Sequence, residues 1–183
     1  EKHSPGKQMA TRYKLRSQLK QAWKNTIFDR YNQQLINSEH GLQAYFCAEL
    51  LNQLKDSKRR IFIEPLLSFS DKRRHPDIVI CNSQSIIAII ELKYLPRGRP
   101  SYKKDLETLE IAVKNKKELT ISNDRFRGKR SDDKKYTLAP DAVLCWAAVY
   151  TGKTLEIKAP KLGAHFLQLD ALTMIGEDAE VEK

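Results

Sequence analysis

Three charged residues interrupt two strongly apolar runs. Asp77 lies near the start of HPDIVICN, residues 75–82, and Glu91 and Lys93 close IIAIIELKY, residues 86–94. Two carboxylates brought close together repel each other, and desolvation raises the cost. A divalent cation between them removes the conflict. Mg²⁺ suits such a pair, because it takes one or two carboxylates and fills its other positions with waters and phosphate oxygens; Mn²⁺ is a possible substitute. The ion would lower the pKa of a water and polarise a phosphorus–oxygen bond. Lys93 beside it would orient or help deprotonate that water and stabilise developing charge. The chemistry these residue types suit is hydrolysis of a phosphodiester. E-x-K alone reads equally well as a cross-strand salt bridge, and an Asp after Pro as a turn cap. The weight lies in P-D, thirteen intervening residues, and E-x-K on two apolar strands.

For these groups to meet, the two runs must pair. Strand side chains alternate between faces, so Glu91 and Lys93 share a face with Ile87 and Ile89, and Asp77 shares one with Val79. A hairpin about Asn82–Ser85 would carry all three charges to one end of one sheet. RIFIEPLLSF, residues 60–69, reads as a strand bent at Pro65, and the polar SDKRRH after it reads as a turn. Leu15, Leu19, Ala22, Trp23 and Ile27 recur at helical spacing within an amphipathic helix from Thr11 to about Ile36. Asn37 or Ser38 would cap a second helix from Glu39 to about Lys55. Ser101 would cap a third, to about Leu119. Residues 121–137 read as an exposed loop in which Arg125, Arg127, Lys129 and Arg130 could grip a backbone. Ala142–Tyr150 reads as a buried strand, LEIKAP and AHFLQLDAL as further strands, and the acidic tail as disordered. The order predicts a mixed α/β sheet with helices on both faces, in one domain spanning 1–183: an N-terminal arm and helix over 1–37, a core over about 38–151, and a C-terminal extension over 152–183.

The chain has 183 residues, 40% hydrophobic and 31% charged, enough for a real core. No apolar run is long enough for a membrane span. Cys47, Cys81 and Cys145 lie far apart in apolar runs, as buried small hydrophobes of a reducing compartment do. The expectation is a cytoplasmic protein. A formal net charge of +10 favours polyanionic partners.

His75-Pro76-Asp77 followed by Glu91-Leu92-Lys93 resembles the PD-(D/E)xK nuclease superfamily, and the element order from the second helix through Tyr150 is similar to its restriction-endonuclease-like αβββαβ core. The resemblance implies that Asp77 and Glu91 bind one or two Mg²⁺ ions, that the Leu92 main-chain carbonyl is a further ligand, and that Lys93 assists the water. It also implies a Glu on the helix before the first core strand. At ~100° per residue Glu39 falls in line with Phe46 and Leu50 on the apolar face, whereas Glu49 lies to one side. Glu39 is the stronger candidate and Glu49 the reserve. Gln43, one turn on, would bond a ligand carboxylate or DNA, and Glu64 is a weaker outer candidate. Arg97, Arg99, Tyr102, Lys103 and Lys104 follow directly after the motif and are candidates to hold nucleic acid, with Tyr94 or Tyr102 stacking on an unpaired base. The implied protein is a Mg²⁺-dependent nuclease, acting on DNA more than RNA, with a homodimer or protein partner possible. The competing reading is a nuclease-fold binding module or accessory subunit without turnover.

Overall fold

The computed structural model describes residues 12–55, 58–69, 72–122 and 136–181. Two helices open the chain, α1 at Tyr13–Thr26 and α2 at Glu39–Leu54, with a π-helical turn at Ile27–Tyr31 between them. Strands β1 (Arg60–Ile63), β2 (Leu66–Phe69), β3 (Lys72–Arg74), β4 (Ile78–Cys81) and β5 (Ser85–Leu95) follow. Helix α3 (Lys103–Lys114) and β6 (Thr120–Ser122) precede the long β7 (Thr137–Thr151), and β8 (Phe166–Thr173) and β9 (Glu180–Val181) end the described chain. The main sheet has six strands in the order β1-β4-β5-β7-β8-β9, and β3-β2-β6 form a separate small sheet. β1, β4 and β5 are antiparallel neighbours, whereas β5, β7 and β8 run parallel. Parallel neighbours cannot be joined by a tight turn and need a crossover; α3 lies in the one between β5 and β7. Strands buried on both faces lose the polar alternation of a half-exposed strand. Ile86, Ile87, Ala88, Ile89 and Ile90 are accordingly all fully buried, and each Ile contributes ~1.5–3 kcal/mol of burial.

Helices α1 and α2 cover one side of the sheet. Trp23 meets Phe46 edge to face at 5.4 Å and donates its indole N–H to the Asp170 carbonyl at 3.3 Å. On β7 the alternate residue Trp146 receives α3 instead, through a hydrogen bond to Asp105. The hairpin turn forms as its residues require: the Asn82 side chain accepts the N–H groups of Gln84 and Ser85, the local bonding that favours Asn in turns.

Several elements depart from the sequence reading. The first helix leaves α geometry at Ile27. SDKRRH includes a strand, because Lys72–Arg74 pair antiparallel with Leu67–Phe69, the strand that follows the sharp bend at Glu64-Pro65. Glu64 takes φ 46°, a left-handed conformation that redirects the chain from one sheet to the other. Helix α3 begins after Tyr102, without a side-chain cap from Ser101, and stops at Asn115, whose carbonyl accepts the N–H groups of Glu118 and Leu119. LEIKAP is not a strand: the free edge of β8 is taken by β9, which also orders part of the acidic tail. Arg125, Arg127, Lys129 and Arg130 lie outside the described residues. Among the described residues no helix is long and apolar enough to cross a membrane.

Ser38 caps α2 by accepting the Gly41 N–H at 3.0 Å. Ser38→Ala should lose about 1 kcal/mol of unfolding free energy in urea titration, and Ser38→Gly only a few tenths. Equal losses would show that the hydroxyl is not the cap.

Candidate active site

Ile78 pairs with Ile90 and Val79 with Ile89, so one step further along, Asp77 stands level with Glu91. The two carboxyls are close enough for Asp77 to raise Glu91. Asp77 is fixed from several sides. Its Oδ2 accepts the Leu92 N–H, and its carbonyl accepts the Glu64 N–H at 2.9 Å and Gln43 Nε2 at 3.0 Å. Gln43 is buried. It braces the Asp77 backbone rather than bonding a ligand carboxylate or reaching out to nucleic acid, which corrects its expected role.

Lys93 projects on the same side of β5 as Glu91. Its Nζ lies 3.3 Å from Asp105 Oδ1 and donates to the Leu92 carbonyl at 3.0 Å. Asp105, at the start of α3, is buried and accepts Trp146 Nε1 at 3.0 Å on its other oxygen. Sequence reading passed over Asp105, because an acidic residue in a helix's first turn ordinarily serves the helix dipole. Its one sequence signal is its place two residues from Lys103 on a helix that must return over E-x-K. Glu39 arrives from the opposite side of the sheet, at the first residue of α2. Its Oε2 accepts the Tyr94 N–H at 3.1 Å, and its charge acts on Asp77, Lys93 and Asp105. Glu49 is elsewhere, buried against α1 with Arg30 and Asn25.

Four carboxyl groups thus surround one ammonium. Burial pushes Glu91 up to about 9, reinforced by the charges of Asp77 and Asp105. Burial also raises Asp77, against the Leu92 N–H and Lys93, and raises Asp105, against Lys93 and Trp146. Burial alone would lower Lys93, but Asp105 and Glu39 outweigh it, and its amine stays charged. Glu91, the carboxyl pushed up to about 9, holds the proton that relieves the repulsion within the cluster.

The cluster floors a cleft of ≈ 960 Å³ whose walls include Arg73, Arg74 and Lys104. Arg73 and Arg74 were unforeseen, since their stretch read as a turn. Lys103 is exposed beside Lys104 at the start of α3. Arg97 and Arg99 do not line this cleft: Arg97 borders a hollow on the other face of β5, and Arg99 donates to the Lys153 carbonyl at 2.7 Å. Tyr102 packs edge-on against Trp146 at 6.2 Å. Glu64 is half-exposed, 3.9 Å from His40, and His75 Nδ1 lies 3.4 Å from the Glu64 carbonyl.

Among the described residues, no three His, Cys, Asp or Glu side chains converge as a ready-made metal cage. The donor set is instead a close carboxylate pair, an adjacent main-chain carbonyl and a more distant Glu39. That set fits a hard cation bound by one or two carboxylates and otherwise hydrated, as Mg²⁺ is. It does not fit zinc, which needs three or four protein ligands.

Below the ordinary glutamate range Glu91 is protonated both folded and unfolded. From there up to about 9 only the folded chain keeps the proton, so stability falls as pH rises through that window. In chelator, Glu91→Gln should flatten this decline and stabilise the protein at pH 8, by on the order of a few kcal/mol. Denaturant titration across pH reads both, and parallel profiles for variant and wild type would contradict the assignment. The chain matches no family model, and no curated protein or solved structure matches it significantly.

Proposed function

We propose that this chain is a Mg²⁺-dependent nuclease of the PD-(D/E)xK type, hydrolysing phosphodiester bonds in nucleic acid, with DNA the favoured substrate. One observation carries the reading: Asp77 and Glu91 stand side by side on adjacent strands with Lys93 on the same face, at the floor of an open cleft walled by Arg73, Arg74 and Lys104. The topology supports it too. A helix, an antiparallel β1-β4-β5 unit, the crossover helix α3 and the parallel strand β7 follow the order of a restriction-endonuclease-like core.

On this reading Asp77 and Glu91 hold the ion, with the Leu92 carbonyl and Glu39 as further donors. Mg²⁺ when bound supplies Lewis acidity and neutralises charge at the phosphate. The protein's own groups do the rest. The Leu92 N–H and Gln43 hold Asp77 in register. Lys93, steadied by Asp105, donates a hydrogen bond to the attacking water or to a phosphate oxygen. Water adds to phosphorus as the bond to the leaving sugar oxygen breaks, giving a phosphate monoester and a hydroxyl. Arg73, Arg74 and Lys104 neutralise flanking phosphates. A binding module without turnover is the second reading. It is favoured by one contact, the Lys93 ammonium lying on the Leu92 carbonyl that a metal would need.

Purified protein should nick plasmid DNA with Mg²⁺ and not with chelator. Lys93→Ala should lose roughly 10²–10⁴-fold of the rate, and wild type cutting no faster than Lys93→Ala on single-stranded, duplex and branched substrates would leave the binding module. Because the cation replaces the Glu91 proton, Mn²⁺ should raise the melting temperature more at pH 8 than at pH 6. Asp77→Ala should abolish that shift; a shift that persists in the variant would remove Asp77 from the ligand set.

A further inference from the structure

Successive residues of β5 point to opposite faces, so Lys93 enters the carboxylate cleft and Tyr94 turns the other way. There the Tyr94 hydroxyl donates to the Ile36 carbonyl at 3.0 Å, which fixes the ring. Tyr31, from the π-helical turn, meets it edge to face at 6.2 Å. These rings, with Pro96, Arg97 and the half-exposed Met174, border a hollow of ≈ 730 Å³. An adjoining hollow of ≈ 700 Å³ shares both tyrosines and Arg97 and is also lined by Glu177 and Asp178. Thr151 and Thr173 also line the first hollow, but their hydroxyls already donate to the Thr173 and Pro96 carbonyls. Arg97 is exposed and has no carboxylate partner among the described residues. It lies near enough to Tyr31 to act on its phenol.

A ring-lined hollow with one free guanidinium suits a nucleobase and the phosphate attached to it. It does not suit a duplex, whose bases are stacked inside and present no ring faces.

We infer that this hollow binds an unpaired nucleotide, stacked on Tyr31 with Tyr94 against its edge and its phosphate on Arg97, and that the substrate is nucleic acid with a single-stranded segment beside the scissile bond. The inference deepens the nuclease reading and rests on it for the scissile bond alone; the binding site stands apart from turnover. Lys93 and Tyr94 are chain neighbours, so a strand wrapped over the end of β5 would meet both the carboxylate cleft and the hollow.

Binding is tested in chelator, so no cleavage intervenes. The probes are a fluorescein-labelled single-stranded oligodeoxynucleotide and a blunt duplex of the same sequence, read by anisotropy with the full chain. Wild type should prefer the single strand. Tyr31→Ala and Arg97→Ala should each weaken single-strand binding roughly tenfold, with duplex binding changed less than twofold. Tyr31→Phe should retain wild-type affinity, which separates stacking from misfolding. Arg97 is exposed, so its replacement tests the site without disturbing the core. A 2-aminopurine base in the single strand should lose fluorescence on binding to wild type and less so with Tyr31→Ala. Wild type without single-strand preference, variants with unchanged affinity, or equal losses on both probes would overturn the inference. A protein that binds in this pattern yet cuts nothing would keep the hollow and sink the nuclease.

Discussion

Asp77, just before β4, stands level with Glu91 on β5, and the pairing of the two strands brings their carboxyls together. Two full negative charges about 4 Å apart cost about 4 kcal/mol even at an effective dielectric near 20. A proton on Glu91 or a cation between the pair relieves that cost. Surrounding groups hold the geometry in place meanwhile. The Leu92 N–H grips one Asp77 oxygen, Gln43 grips the Asp77 carbonyl, and Trp146 and Lys93 occupy the two oxygens of Asp105. The fold has therefore constrained a site that would be less crowded with charge if it were looser.

Around this acidic floor the charge is mostly positive, with Glu107 beside Arg74 the exception. The chain carries a formal +10, and at the cleft the cations come from two separate elements, Arg73 and Arg74 on the small sheet and Lys104 on α3. The small sheet exists because the chain bends at Glu64-Pro65, with Glu64 in a left-handed conformation. Without that bend β2 would continue β1 along the main sheet, and the arginines would not reach the cleft. An acidic floor with a basic rim separates two tasks. A polyanion is attracted from a distance by the rim, while the floor stays selective for a compact cation.

The central hairpin was legible in the sequence because every level agreed on it. Apolar runs, an Asn-Ser turn and two-residue alternation all fixed the same register, and Asp77, Glu91 and Lys93 came together as that register requires. Glu39 was legible by helical phase, since only one of the two glutamates on α2 shares the angle of Phe46 and Leu50. Asp105 was not, because its partners Lys93 and Trp146 lie 12 and 41 residues away in sequence and meet it only after α3 crosses the sheet. Arg73 and Arg74 were hidden for a related reason. Three charged residues carry no strand periodicity, and their pairing depends on the bend before them. Arg97 and Arg99 lie away from the cleft: nearness to the motif in sequence did not decide which side of the sheet they would reach, since the chain leaves β5 through Pro96 and turns aside.

That turning away organises the end of β5. Lys93 and Tyr94 are chain neighbours on opposite faces, and the segment from Ile36 to Glu39 touches the business of both. The Ile36 carbonyl holds the Tyr94 hydroxyl, and Glu39 holds the Tyr94 N–H while its charge reaches Asp77, Lys93 and Asp105. Any movement of Tyr94 therefore tugs on a carboxylate of the charged cluster through one hydrogen bond. The cap at Ser38 anchors that carboxylate to the start of α2, and α2 in turn rests on the core through Phe46 and Trp23. A ligand seated against Tyr94 would press on a part of the molecule that cannot yield without disturbing the core, which is what a site needs if it is to hold a flexible strand in register with a fixed pair of carboxylates.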